Sequence, residues 1–185
     1  SCLRALYARW RCGHFLRMQR SSRMLHSLSG CESIYIVELK NRLTMSSRKS
    51  RGLRNLNPGN IRRSKVRYKG EKGHSTDSAF KQFESLEAGY RAMFVLLHTY
   101  RVRGYGSTIS QMIARYAPPS ENDTEAYISR VEKGAKIGRH TPLDTLQAEQ
   151  MIPVVCAMSA VENGVAADRA AVECGWQMFI ADFAE

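Results

Sequence analysis

The chain has 185 residues, enough for one domain and an appendage. Its 28 lysines and arginines exceed its 17 acidic residues, and residues 46–72 hold ten of these cations against one acidic residue, Glu71. Such an excess favours a polyanionic partner: nucleic acid, lipid headgroups or an acidic cell-wall polymer. The histidines are dispersed and the cysteines lack zinc-site spacing, so we expect no metal and no cofactor. No apolar run approaches the ~18 residues of a membrane span.

Residues 1–44 differ in composition from the rest of the chain. Residues 1–31 contain six arginines, no acidic residue and no sustained hydrophobic period. This pattern is typical of a transit peptide or of translated upstream DNA, whereas Met45 begins a segment typical of a natural start. We therefore expect residues 1–44 to be a disordered or non-native extension and residues 45–185 to form the folded domain.

The tetrapeptide Asn57-Pro58-Gly59-Asn60 predicts a tight turn. Proline fixes φ, glycine accepts a positive φ, and asparagine side chains bond to nearby backbone groups. Basic residues flank the turn, so it is either a structural turn with a solvated basic rim or a site for a polar or anionic ligand.

The next segment predicts short extended pieces. In residues 65–69 Val66 and Tyr68 alternate with basic residues, and Gly70 and Gly73 punctuate the segment. Apolar residues resume near Phe80, after a polar loop. Residues 61–83 therefore predict a hairpin-like piece of small sheet.

Helical periodicity dominates from residue 86 onward. Apolar residues recur three and four positions apart, with capping residues before and glycines or prolines after each run. The predicted helices cover residues 86–102, 108–116, 146–163 with a kink at Pro153, and 167–183; a further helix starts at 123 or 124 and ends near 134 or 138. The predicted fold class is α+β: a small N-terminal sheet or hairpin followed by four to five helices.

Several unusual groups in one order resemble a family of phage and prophage proteins commonly called virion structural proteins. The resemblance covers about residues 52–138 and rests on Arg-Asn-x-Asn-Pro-Gly-Asn-Ile-Arg (54–62), Tyr-Lys-Gly (68–70), Phe-Lys-Gln-Phe (80–83), Gly-Tyr-Arg-Ala (89–92) and Ala-Pro-Pro-Ser-Glu-Asn (117–122).

That family is similar to lysozyme-like cell-wall glycosidases and lytic transglycosylases. The resemblance implies a lysozyme-like fold for residues 45–185 and peptidoglycan, or another polyanionic glycan, as the partner. It also implies a location in the virion, or in the bacterial cytoplasm before delivery to the cell wall. Other virion proteins are possible partners.

Glycan cleavage needs a carboxylic acid held protonated, usually with a second carboxylate. Many lysozyme-like enzymes carry the acid on a helix before the sheet, but residues 46–70 contain no acidic residue. The catalytic candidates are Glu84, whose pKa neighbouring aromatic residues would raise, and Glu87, which Arg91 at i+4 would keep ionised. Glu84 is otherwise an exposed strand-end carboxylate, and Glu87 otherwise complements the helix dipole.

The candidate substrate-binding residues combine amides, cations and rings suited to a sugar groove. Amides read hydroxyl and N-acetyl groups, and tyrosines stack on sugar rings; the amides would otherwise bond the turn's own backbone, and the loop at 121–124 would cap a helix. The candidates are Arg54, Asn55, Asn57, Asn60, Arg62, Tyr68, Arg91, Tyr116, Glu121 and Asn122.

Two other functions remain open. One is a non-catalytic virion component that binds glycan or packs in the particle. The other is a basic virion protein that binds nucleic acid. Against the latter, Tyr68 is the only aromatic residue in residues 46–72, so base stacking is poorly served.

Removal of residues 1–44 should leave the folded domain intact, because no core periodicity involves them. Thermal unfolding of residues 45–185 against the full chain checks this, and a large drop in melting temperature on truncation would refute it.

Overall fold

A computed structural model describes residues 49–183. This part of the chain contains six α-helices: α1 (Arg51–Arg54), α2 (Leu86–Val102), α3 (Ile109–Tyr116), α4 (Thr124–Ala135), α5 (Ala148–Asn163) and α6 (Arg169–Phe183). The predicted extension over residues 1–44 lies outside the described residues and stays a prediction.

The five helices from residue 86 onward confirm the predicted periodicity. Three of them begin at side-chain caps: Ser85, Thr108 and Asp123 each accept a hydrogen bond from the backbone N–H three residues on. α5 contains Pro153 and ends at Gly164, which has a φ of 70°. Side-chain caps therefore fix where α2, α3 and α4 begin, whereas α5 and α6 begin two residues later than predicted.

The predicted α+β, lysozyme-like fold class is wrong. Residues 49–183 are all-helical, and in place of a sheet they contain two isolated antiparallel bridges, Arg62–Phe80 and Glu71–Phe83. The backbone around residues 79–84 changes partner along its length: residues 79 and 81 bond to residues 61–63, whereas residues 82 and 84 bond to residues 70–72. Because each partner is used for so few residues, neither pairing extends into a strand.

A buried lysine organises this irregular segment. Lys81 is 1% exposed, and its ammonium lies 3.0 and 3.1 Å from the two carboxylate oxygens of Glu71. It also donates to the Val66 carbonyl at 2.7 Å and faces the Tyr68 ring. A buried ammonium is stable only when its donors are satisfied, so residues 64–71 wrap around it instead of pairing with a strand.

The core lies between the long helices. α2 packs mainly against α6, and α4 packs against α5. Phe94 on α2 meets Trp176 edge-on and stacks on Phe179 of α6, with ring centroids 5.1 and 5.9 Å apart. Gly175 allows the close approach, because a Cβ there would lie 2.8 Å from the Glu87 carbonyl oxygen. No helix within residues 49–183 has the length and apolar character needed to cross a membrane.

In the Asn-Pro-Gly turn (residues 57–60), the positive φ that the sequence suggested for the glycine occurs at other residues. The positive φ values are at Leu56 (52°) and Asn60 (48°), not at Gly59. Gly59 is instead required for space, since a Cβ would lie 2.6 Å from the Tyr116 hydroxyl and 2.8 Å from Met93 Cγ. The glycine therefore allows the turn to press against α2 and α3.

Gly59→Ala should destabilise the fold by about 1–3 kcal/mol, because the added methyl overpacks this contact. Gly73→Ala is the matched control: no atom lies within 4 Å of its added Cβ, and we expect a change below about 0.5 kcal/mol. Chemical denaturation measures both variants, and equal free energies of unfolding for the two would show that the space argument is wrong.

Candidate functional site

A cleft of about 460 Å³ lies beside the Asn-Pro-Gly turn. Its walls come from the turn and the residues after it, from α2, from the C-terminal end of α3 with the following loop, and from the last turn of α5. The lining residues are Gly59, Asn60, Ile61, Arg62, Ser64, Tyr68, Phe80, Leu96, Tyr100, Arg115, Tyr116, Ala117, Pro118, Glu121, Asn122 and Glu162.

The fold brings six of the predicted binding residues into this one cleft. They are separated by up to 62 positions in the sequence, and they are Asn60, Arg62, Tyr68, Tyr116, Glu121 and Asn122. Arg62 donates to Glu121 at 2.6 Å, so a cation and a carboxylate from distant segments meet at the cleft surface. Burial raises the pKa of Tyr68 to about 12.

Tyr116 supports the turn. Its hydroxyl donates to the Gly59 carbonyl, and its ring lies edge-on to Tyr127. Burial raises the pKa of Tyr116 well above its ordinary value, so the hydroxyl remains a donor. The contact holds the turn against α3.

The remaining predicted binding residues do not line the cleft. Asn57 is fully buried and bonds the backbone of Ile61 and Lys81, as the structural interpretation expected. Asn55 donates to Asp77 at 2.7 Å. Arg54 is exposed and donates to the backbone carbonyl of residue 49.

The predicted catalytic carboxylates also lie outside the cleft. Glu84 is exposed, and Glu87 is partly exposed in the first turn of α2. Arg91, expected to hold Glu87, is buried and pairs instead with Asp182 of α6. A catalytic role for Glu84 or Glu87 stays a prediction.

Sequence reasoning missed Glu162, a half-buried carboxylate that lines the cleft. It lies in the last turn of α5, and each of its oxygens accepts one hydrogen bond. The Asn60 amide donates to Oε2 at 2.8 Å, and the Tyr127 hydroxyl donates to Oε1 at 2.9 Å. Burial raises the pKa of Glu162 above its ordinary value, although both hydrogen bonds act in the opposite direction.

A sequence signal for Glu162 was present. Met151, Val155 and Met158 are buried along one face of α5, four and three residues apart, and Glu162 follows at the next position of the same stripe. A carboxylate on a core-facing stripe is unusual, because its charge must be desolvated or neutralised.

Asn163, the neighbour of Glu162, ties the turn to α5. Its amide donates to the Pro58 carbonyl at 2.7 Å, and its Oδ1 accepts from the Ser50 hydroxyl at 2.5 Å. Gly52 packs beneath these groups, where a Cβ would lie 2.6 Å from Asn163 Oδ1. Through Asn163, the residues before and within the turn are therefore bonded to the same end of α5 that carries Glu162.

Comparison with known proteins gives the chain a relative. No family model matches it. It is 37% identical over 124 residues to Protein P5 of Pseudoalteromonas phage PM2, an alignment that spans 65% of this chain and 76% of that protein. The chain belongs to the Protein P5 family. The predicted relationship to phage proteins is thereby confirmed at the level of the family.

This P5-family chain presents its cleft without a cluster of metal ligands. Within residues 49–183, no group of three or more His, Cys, Asp and Glu side chains is placed to hold a metal ion. The groups available in the cleft for chemistry include a half-buried carboxyl, an exposed ion pair, a second arginine, tyrosine rings and amides.

Tyr127→Phe should raise the pKa of Glu162 further. The hydroxyl of Tyr127 stabilises the ionised carboxylate, and its loss leaves burial opposed only by the Asn60 amide. Carboxyl carbon NMR titration measures the shift, with Glu162→Gln identifying the resonance. A lower or unchanged pKa in Tyr127→Phe would contradict this account of the site.

Proposed function

We propose that this phage protein cleaves the glycan strands of bacterial peptidoglycan, as a hydrolase or lytic transglycosylase, with Glu162 as the acid. The observation that carries the proposal is a half-buried carboxyl with a raised pKa that lines a cleft of about 460 Å³. Perturbed carboxyls in clefts are candidates for general acids.

The chemistry requires one proton transfer in each direction. The protonated Glu162 donates its proton to the glycosidic oxygen as the C–O bond breaks, and the leaving sugar departs as an alcohol. The resulting carboxylate then takes a proton from the attacking hydroxyl. That hydroxyl belongs to water in a hydrolase and to the cleaved sugar itself in a transglycosylase.

Its two hydrogen-bond donors suit Glu162 to both roles. Burial favours the neutral acid before the first transfer, and the Asn60 amide and Tyr127 hydroxyl stabilise the anion that follows. Glu121 also lines the cleft, but it is exposed and paired with Arg62. The proposal therefore assigns the proton transfers to Glu162 alone.

The walls of the cleft offer groups that a sugar chain uses. Tyr68 and Tyr100 supply aromatic surface, and Asn122 and the Arg62–Glu121 pair supply donors and acceptors for hydroxyl and N-acetyl groups. A pocket with aromatic surface and few polar groups is the usual form of a small-ligand site.

Virion association is part of the proposal. A phage protein that opens peptidoglycan would travel in the particle, or be made in the bacterial cytoplasm and delivered to the wall. Membership in a phage-protein family supports this. A non-catalytic wall-binding virion protein is the alternative with the same partner.

Nucleic acid is the alternative with a different partner. Arg63, Lys65 and Lys72 are exposed and, among residues 49–183, have no carboxylate within salt-bridge distance. Their charges would contact phosphates, and such binding falls steeply with salt. The cleft and its carboxyl have no part in that function.

The test is the release of soluble fragments from purified peptidoglycan by the full chain. Glu162→Gln should reduce the rate about 100-fold or more, because it removes the proton donor. Glu84→Gln and Glu87→Gln are the matched variants, and we expect near-normal rates from both. Product mass shows whether water has been added, and thermal unfolding confirms that each variant is folded.

Other outcomes assign the function differently. Full activity in Glu162→Gln with loss in Glu84→Gln or Glu87→Gln would move the acid to that carboxylate. Pelleting with the wall and no release would indicate a binding protein. No pelleting, with salt-sensitive DNA binding, would replace glycan by nucleic acid.

A further inference from the structure

Arg115 is a cation of the cleft that the proposed reaction does not use. It lies in the last turn of α3, is exposed and lines the cleft. Its guanidinium lies 3.7 Å from the ring centroid of Tyr105 and 5.4 Å from that of Tyr100. Contact with two rings holds the planar group in place, whereas an isolated exposed arginine samples many rotamers.

Its charge has no protein partner in residues 49–183. The other arginine of the cleft, Arg62, is paired with Glu121 at 2.6 Å, but no carboxylate lies within salt-bridge distance of Arg115. The rings of Tyr100 and Tyr105 attract the cation and supply no hydrogen-bond acceptor through their faces. The N–H groups of Arg115 are therefore available to a ligand.

The chemistry of the guanidinium selects the ligand. A guanidinium offers parallel N–H donors that match the two oxygens of a carboxylate, and a charge-assisted pair is stronger than a neutral hydrogen bond. The ring faces do not accept its hydrogen bonds, so the N–H donors of Arg115 remain for such a pair. A neutral sugar hydroxyl uses this arrangement poorly.

We propose that Arg115 forms a carboxylate subsite of the glycan cleft, a specificity determinant that favours strands bearing acidic substituents over neutral ones. This inference rests on the proposed function. The carboxylate has two sources in peptidoglycan: the lactyl group of the sugar, once freed of peptide, and the stem peptide.

Equilibrium binding of three soluble glycans separates these sources. The ligands are a neutral chitin oligosaccharide, a peptide-free glycan strand with free lactyl carboxylates, and a strand that retains its stem peptides. The full chain with Glu162→Gln keeps each strand uncleaved during the measurement. Three variants are made in this parent: Arg115→Gln, Arg115→Lys and the control Arg130→Gln. Arg130 is an exposed helical arginine outside the cleft.

The expected result is selective. Arg115→Gln should weaken binding of at least one carboxylate-bearing strand about tenfold or more and leave chitin binding unchanged. Arg115→Lys should recover part of the loss, because it keeps the charge without the planar fork. Arg130→Gln should change none of the affinities. The strand that responds identifies the source of the carboxylate.

Equal loss on chitin and acidic strands, or equal loss in Arg130→Gln, would overturn the subsite and leave the proposed function in place. The same holds if Arg115→Gln changes nothing while the parent binds all three glycans. If the parent binds none of them, the proposed function fails and the subsite fails with it.

Discussion

The join between the Asn-Pro-Gly turn and the end of α5 is the interaction on which the rest of the site depends. The Asn163 amide binds the Pro58 carbonyl, and the Asn60 amide binds Glu162, across more than 100 positions of sequence. One hydrogen bond is donated by the helix end and the other by the turn, so the two segments are linked in both directions. The cleft is the space that remains beside this join, with α3 closing it through Tyr116.

The join also sets the electrostatics of the cleft. It leaves Glu162 half-buried and supplies the Asn60 amide to one of its oxygens, and Tyr127 of α4 supplies a donor to the other. Burial and hydrogen bonding therefore oppose each other at one carboxyl. The two arginines of the cleft have different partners: Arg62 forms an ion pair with Glu121, whereas Arg115 contacts the ring of Tyr105. The charge of Arg115, without a carboxylate partner in residues 49–183, is the basis of the proposed preference for acidic glycan strands.

The irregular segment after the turn shows how one buried charge displaces regular structure. Alternation around Val66 and Tyr68 was a reasonable indication of strands, but Lys81 occupies the interior with Glu71 as its partner. Carbonyls that a strand would use for pairing bind the ammonium instead, including that of Val66. Two isolated β-bridges are the extent of strand pairing in this segment, and Tyr68 from the same segment lines the cleft.

Periodicity, caps and stop residues in the sequence were sufficient for α2–α6, because a helix is decided by contacts three and four residues apart. The predicted binding residues also include six of the sixteen residues that line the cleft, Asn60 and Arg62 among them. Tertiary structure alone decided three features: the absence of a sheet in residues 49–183, the need for space at Gly59 and the environment of Glu162. Each depends on groups far away in sequence: desolvation and a pKa are properties of everything packed around a residue, and local pattern carries no record of those neighbours.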